Sequence, residues 1–441
     1  MAGLALSLAA LKYPFEGLAL PWQILFTICL VVVVGIFVWI LLLFFRGHAT
    51  IAHPPEPPPE GADAFNWIFL VPALNEEVTI ADSVARLVEL PLASKRIVVI
   101  DDASSDRTPE ILAGIEDPDL FVLRREKPDA QKGKAAGLNY AYRALCDYDD
   151  RERTIVAIVD ADGRLDPEAP LYAASHFVEP KVGGVQSLVR IYNRQRFLTW
   201  MQDVEFAVYG HLFQAGRNDW GTAGMGGNGQ FNRLSALDDV SDDEGPWRDK
   251  LTEDQDLGLR LIAAGWEGRQ DLRAVVNQQG LSKLRPLLRQ RTRWSQGNLQ
   301  AIGLHRQVMQ APFGLPARLE QLAFIFLPFW QGIIGLGLVG SLILALTGTA
   351  PFWGGGPAWQ LIFFYLLAFG GTSLGCMTAR SGQGPMGWVT GFLIGQVYTI
   401  YTWLLWPVLL RSTTRQLMGH GSWAKTEREA ISTEPAGAAS P

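Results

Sequence analysis

The chain has 441 residues, of which 48% are hydrophobic and 19% charged, and its formal net charge is −6. That acidic balance offers no basic surface for tracking phosphates and excludes a nucleic-acid partner. The three cysteines, Cys29, Cys146 and Cys376, are too scattered for a disulfide framework or a zinc cage and fit a reducing cytosol.

The apolar residues gather at the two ends of the chain, around a polar middle from about Arg46 to Glu320. Ile24 to Phe45 carries no charge and is long enough, at ~1.5 Å per residue, to cross a ~30 Å hydrocarbon core. No small-residue cleavage site follows it, so residues 1–48 read as a segment carrying a retained membrane helix, not a signal peptide. Residues 49–64 hold the proline run HPPEPPPEG, a stiff extended spacer.

Residues 65–280 read as an α/β domain. Trp67 to Val71 is a continuous apolar run ended by Pro72, as expected of a strand buried on both faces. A helix over Glu76 to Leu90 leads to a second strand, Arg96 to Ile100, that runs into Asp101 and Asp102. A helix around Pro109 to Ile115, a strand at Phe121 to Leu123, a helix from Lys134 to Leu145 and a strand from Thr154 to Val159 follow, the last ending in Asp160. Alternation of this kind predicts a parallel, Rossmann-like sheet whose ligands bind beyond the carboxyl ends of its strands.

Residues 281–318 form a basic amphipathic segment containing QRTRW, and 319–410 contain three apolar stretches, Leu319 to Leu346, Trp359 to Thr378 and Trp388 to Leu410. Gly332, Gly335, Gly337 and Gly340 would let neighbouring helices approach closely. Residues 411–441 are a basic tail, disordered after Lys425. Basic residues place both domain and tail on the cytosolic side, yet one helix before the domain and three after it would separate them. Three arrangements reconcile this: a re-entrant or interfacial C-terminal segment, a break near Pro328, or a tail on the far side.

The residues suited to chemistry sit at strand ends. DDASSD presents Asp101 and Asp102, and DADG spaces Asp160 and Asp162 so that both can address one hard cation and a sugar diphosphate. Aspartates at such positions also serve as turn formers and helix caps. Thr252-Glu253-Asp254 supplies a carboxylate, Asp254, able to take a proton from an acceptor hydroxyl, and the same position suits a helix N-terminus. In QRTRW, an arginine can fork onto a diphosphate and the indole can stack on a sugar ring, while the flanking Leu284, Leu287 and Leu288 suit a membrane surface.

The ordered set DDASSD, DADG, TED and QRTRW, between one leading and several trailing apolar helices, resembles the membrane-bound family 2 glycosyltransferases of the cellulose, chitin and hyaluronan synthase group. The resemblance runs from about Ile24 to Trp423. It implies a glycosyltransferase A-type fold in the cytosol, a UDP-sugar donor, Mg2+ or Mn2+, inversion at the anomeric carbon, and residence in the cell membrane. It further implies that Pro72, Asn75, Glu76, Asp101, Asp102, Lys134 and Asp160 contact the nucleotide-sugar and that Asp160 and Asp162 hold the metal. Asp254 would be the base, and Glu253, Gln290, Arg293 and Trp294 the diphosphate and acceptor platform. Asn193, Gln202 and Glu205 match a helix near the acceptor more loosely. Asn228 and Gly229, in GGNGQFNR, fall where the family places a loop under the acceptor sugar, in a form that leaves the sugar open. The tail at Trp423 resembles one lying on the cytosolic face, which favours a re-entrant or interfacial segment.

The leading expectation is a processive synthase of a β-linked polymer, with a partner subunit or homo-oligomer as a further expectation. The alternative is a non-processive enzyme that glycosylates a lipid in the bilayer. A non-catalytic nucleotide-sugar-binding protein is disfavoured, because every acid the mechanism needs is present.

Overall fold

In the computed structural model the described residues are 15–144, 149–349 and 358–419. Cys146, the C-terminal end of the helix expected to reach Leu145, and the tail around Trp423 and Lys425 lie outside them.

Helix α1 (Leu20–Ala52) leads through the proline spacer into an eight-stranded sheet. The first half runs β1 (Asn66–Ala73), α2 (Ile80–Val88), β2 (Lys95–Asp101), α3 (Thr108–Ala113), β3 (Leu120–Arg124), α4 (Lys134–Arg143) and β4 (Thr154–Ile158). The second half runs β5 (Arg164–Leu165), α5 (Ala169–Phe177), β6 (Val182–Ile191), α6 (Phe197–Val208), β7 (Gln230–Arg233), α7 (Leu234–Asp239), α8 (Glu253–Ala264) and β8 (Glu267–Gln278). Strand order is β3-β2-β1-β4-β7-β6-β8-β5.

Strands β1 to β4 pair in parallel, but β7 lies antiparallel to both β4 and β6, and β5 antiparallel to β8. The parallel expectation, drawn from the first four strands, holds for them, and the second half is mixed, with β6 parallel to β8 and β7 antiparallel between β4 and β6. Two smaller corrections have local causes. Pro72 lies inside β1, because successive parallel-strand residues face opposite neighbours and its missing N–H falls on the β4 side, beyond the last pair, Leu70–Ile158. Helix α2 starts at Ile80, not Glu76, because Asn75 takes a left-handed φ of 54° and the Glu76 N–H is drawn to Thr108.

The apolar runs of β1, β2 and β4 are buried on both faces, whereas β3, at the sheet edge, leaves Phe121 and Val122 exposed. Trp67, Phe69 and Val71 face α2, α3 and α5, whereas Ile68 and Leu70 face α4, α7 and α8. A third core, with Leu43, Met201, Val208, Leu212, Leu287 and Tyr401, joins the domain to the apolar helices.

After the sheet come α9 (Leu284–Ala301), α10 (His305–Gln310), α11 (Leu315–Ile325), α12 (Leu327–Leu346), α13 (Ala358–Arg380), α14 (Pro385–Leu404) and α15 (Trp406–Leu417). Among the described residues, four helical stretches are long and apolar enough to cross a membrane: Leu20–Ala52, Leu327–Leu346, Ile362–Gln383 and Pro385–Leu417. The apolar run from Leu319 is broken at Phe326, ahead of Pro328, so α11 and α12 are separate helices. The last stretch is likewise broken at Leu405, ahead of Pro407.

Helix directions follow from the close contacts. A Cβ on Gly337 would stand 2.6 Å from the Cys29 sulfur and one on Gly340 2.7 Å from Trp22, so α12 runs antiparallel to α1. Gly335 meets Trp406, but nothing lies within 4 Å of Gly332, so three of the four expected glycines serve packing. Gly370 and Gly371 meet Phe37 and Ile40, which makes α13 parallel to α1, and α14 returns antiparallel to α13. After the break at Leu405, α15 packs on α9, where Ser412 and Gln416 hydrogen-bond Ser295 and Gln296. Of the three arrangements considered, the break near Pro328 is present, at Phe326.

Candidate active site

The site forms at the carboxyl ends of β1, β2 and β4. The loops after β1 and β2 are laced together: the Asn75 N–H donates to Ser104 Oγ (2.9 Å), the Ser105 N–H to Asn75 Oδ1 (2.7 Å) and the Glu76 N–H to Thr108 Oγ1 (2.8 Å). Asn75 and Glu76 therefore shape this edge through the backbone as well as lining it. The two acids of DDASSD differ. Asp101 is 1% exposed and uses both oxygens internally, accepting from the Ser104 N–H (3.0 Å) and Arg124 Nη1 (2.7 Å). Asp102 accepts from Arg125 Nη1 (2.6 Å) on one oxygen only and is partly exposed. Of the pair expected to contact nucleotide, only Asp102 has an oxygen available.

Lys134 opens α4 after Gly133 and reaches across to the DADG motif. Its Nζ donates to Asp160 Oδ1 (2.6 Å) and stands 3.8 Å from Glu253 Oε1. Burial acts to lower the Lys134 pKa, but the pull of Asp160 and then Glu253 outweighs it, so the ammonium stays charged well above its ordinary range. Burial pushes the Glu253 and Asp254 carboxyls up, against the opposing attraction of Lys134. The positive field of Arg293 also reaches Glu253. Lys134, Asp160, Glu253 and Asp254 are thus one electrostatic unit.

Asp162 is buried and accepts from the Gln279 N–H (3.2 Å). Among the described residues no three His, Cys, Asp or Glu side chains converge as a metal cage. The Asp160/Asp162 pair suits instead a hard cation that takes one or two carboxylates and completes its shell with substrate phosphates and water.

Asn228 and Gly229 hold this motif to the neighbouring strands. Asn228 Oδ1 accepts from the Asp160 N–H (3.1 Å), and its Nδ2 donates to Gln278 Oε1 (3.0 Å). The Gly229 N–H donates to Ile158 O (2.9 Å). Gly227 and Gly229 have φ of 83° and 67°, and a Cβ on Gly227 would lie 2.8 Å from Asp254 Oδ2. The loop is pressed against the candidate base, and only glycine fits there.

Asp254 is the second residue of α8, whose first turn carries Glu253, Asp254 and Asp256. The helix-terminus reading of Asp254 holds, and the candidate base lies in that first turn. Helix α9 packs Gly297 directly on Thr252, while Gln300 Oε1 accepts from the Leu251 N–H (3.2 Å), so the TED and QRTRW segments touch. Within QRTRW, Gln290 Oε1 accepts from Arg291 Nη1 (2.7 Å) and Trp294 lies 4.1 Å from the Arg291 guanidinium and edge-on to Phe206. Arg291, which sequence reading passed over, is paired with Glu205 at 2.7 Å, and Tyr401 donates to the same carboxylate at 3.1 Å. Glu205, matched only loosely, thus links α6, α9 and α14. No local spacing announces Arg124, Arg125 or Arg291, because each finds its acid on another element.

A mixed Rossmann-like sheet with acids at its strand ends, carried on long apolar helices, defines a membrane-associated glycosyltransferase of the A-type fold. Comparison with known proteins gives the family: the model described as glycosyl transferase family group 2 matches residues 155–410, and that of glycosyl transferase family 2 matches 68–240. The chain belongs to the family 2 glycosyltransferases. It is 31% identical over 290 residues to a beta-monoglucosyldiacylglycerol synthase of Nostoc sp., covering 64% of this chain and 59% of the relative. It is 29% identical over 238 residues to a poly-beta-1,6-N-acetyl-D-glucosamine synthase of Staphylococcus aureus, covering 53% and 55%. The chain therefore spans less than two thirds of the length of either. The mannosyltransferase of Pyrobaculum calidifontis, solved with GDP-Man and Mn2+, superposes with a TM-score of 0.59 at 17% identity, over 90% of this chain and 99% of that one, a likeness of fold.

Proposed function

We propose that this enzyme transfers one sugar from a UDP-sugar, with inversion, to the hydroxyl of a lipid acceptor held in the bilayer. The observation that carries the reading is the similarity to beta-monoglucosyldiacylglycerol synthases, 31% identical over 290 residues in the Nostoc relative. The packing of the domain on the apolar helices, through Leu43, Met201, Val208, Leu212, Leu287 and Tyr401, is in keeping with an acceptor that reaches the site from the bilayer. The polymer-making reading stands second, supported by QRTRW and the S. aureus relative.

Asp102, with Asn75 and Glu76 beside it, receives the nucleoside end of the donor. Asp160 and Asp162 would hold Mg2+ or Mn2+ on the diphosphate, which supplies charge neutralisation as UDP departs. Lys134 and Arg293 add fixed positive charge on the same side. Asp254 takes the proton of the acceptor hydroxyl as it attacks the anomeric carbon from the face opposite the leaving UDP. Burial raises the proton affinity of Asp254 above that of an ordinary aspartate, which suits a base. The domain is assigned to the cytosolic side, where nucleotide-sugars are found.

The test is UDP release by the detergent-solubilised protein from single UDP-sugars, with and without Mn2+ and diacylglycerol. Metal-dependent release that rises on lipid addition with one sugar is expected. Release with no sugar, in a folded protein that binds UDP, contradicts the reading.

A further inference from the structure

A second buried network lies between α1 and the glycine loop beside Asp254. After α6 the chain makes a π-helical turn, Tyr209–Gln214, then a 3-10 turn, Ala215–Trp220. π-turns are rare and gather at functional positions. Arg217, 0% exposed, donates from Nε to Glu320 Oε1 of α11 (2.9 Å) and from Nη1 to Gln214 Oε1 (3.2 Å), with the Phe324 ring 4.0 Å from its guanidinium. Trp39, on α1, donates from Nε1 to the same Glu320 oxygen (3.1 Å). Gln214 in turn clamps Gly224 from both sides, donating to its carbonyl (2.6 Å) and accepting from its N–H (3.1 Å). Three residues later, Gly227 abuts Asp254.

We infer that Trp39, Glu320, Arg217 and Gln214 form a strut that sets the position of the Gly224–Gly229 loop relative to the membrane helices, and so sets acceptor geometry at Asp254. These are positioning residues, since none of them is needed to touch the reacting atoms. A buried ion pair is a poor device for stability alone, because desolvation of both charges offsets their attraction. It does fix geometry: neither charge can move without losing its partner. None of the strut's own hydrogen bonds reaches Asp102, Asp160 or Lys134, and the loop it holds touches the donor motif only near its far end, where Asn228 Oδ1 accepts from the Asp160 N–H (3.1 Å). A shift of Gly224 to Gly227, the stretch that faces Asp254, should therefore disturb acceptor placement more than donor binding. The inference rests on the reading of Asp254 as the base, but not on which acceptor is used.

Two full-length variants test it, Gln214→Leu and the double variant Arg217→Met/Glu320→Leu, which replaces the charges by apolar groups of similar size. The readouts are UDP affinity, slow hydrolysis of the UDP-sugar by water, and transfer to acceptor. We expect UDP affinity and hydrolysis within about twofold of wild type in both, with kcat/KM for the acceptor falling about tenfold or more and the transfer-to-hydrolysis ratio falling with it. The ratio is defined for lipid or glycan alike, so failure of the lipid reading leaves this test intact. An unchanged ratio in both variants overturns the inference. So does a fall of UDP affinity, hydrolysis and transfer in step with a lowered Tm, the signature of a merely structural network.

Discussion

Asp254, the proposed base, lies in the first turn of α8, where an acid favours the helix dipole, half-buried beside Gly227. Asp254→Asn keeps the hydrogen-bonding capacity but not the basicity. We predict a loss of transfer of about 10²–10⁴-fold with UDP affinity nearly unchanged, measured by radiolabel transfer and calorimetric UDP binding. The DDASSD acids allow a sharper contrast. In Asp101→Asn the new amide meets either the Ser104 N–H or Arg124, donor against donor, in a site 1% exposed. The expected outcome is a stability loss of about 1–3 kcal/mol with UDP affinity unchanged within twofold. Asp102→Asn should weaken UDP by about tenfold. Equal effects on UDP would contradict the assignment of one acid to the fold and the other to the ligand.

At the scale of elements, β1, β2 and β4 were legible because they are buried on both faces and so carry apolar runs with no polar residue to blur them, as in Trp67 to Val71. The acids were legible because a strand end is the one place where such a run stops. What could not be read was pairing at a distance. The antiparallel β7, Gln230–Arg233, is four residues with a single apolar one and so has no run to announce it, and Arg291 looks like one more basic residue of α9 until Glu205 is set beside it. Helix boundaries shifted where side chains captured backbone donors, as Thr108 does at Glu76.

A further cross-element tie makes a pH prediction. His176 of α5 pairs with Asp271 of β8 at 2.9 Å, and Arg273 joins that carboxylate to Pro55 O of the proline spacer. Burial alone would raise the Asp271 pKa, but the His176 and Arg273 hydrogen bonds outweigh it and bring it down to about 2. A carboxylate whose folded pKa is depressed stabilises the fold above its unfolded pKa, near 4, and loses that contribution as pH falls toward 2. Chemical denaturation at stepped pH should show this acid limb between about 4 and 2, and Asp271→Asn should flatten it. An undiminished limb in the variant would assign the acid sensitivity elsewhere.

For the whole molecule, α15 packs on α9 through Ser412 and Gln416, so the candidate membrane helices also brace the QRTRW helix. Tyr401, Glu205 and Arg291 complete that brace. The strut through Arg217 forms a second one at the glycine loop. A site braced twice by its apolar helices suits the proposed acceptor that arrives from the bilayer. The most direct measurement is the identity of the product made by the purified protein in lipid vesicles containing diacylglycerol, supplied with radiolabelled UDP-sugar and Mn2+. Label extracted into organic solvent as a lipid bearing one sugar is the predicted result. Label in a long, water-soluble or insoluble glycan would contradict the account and return the enzyme to the polymer-making reading.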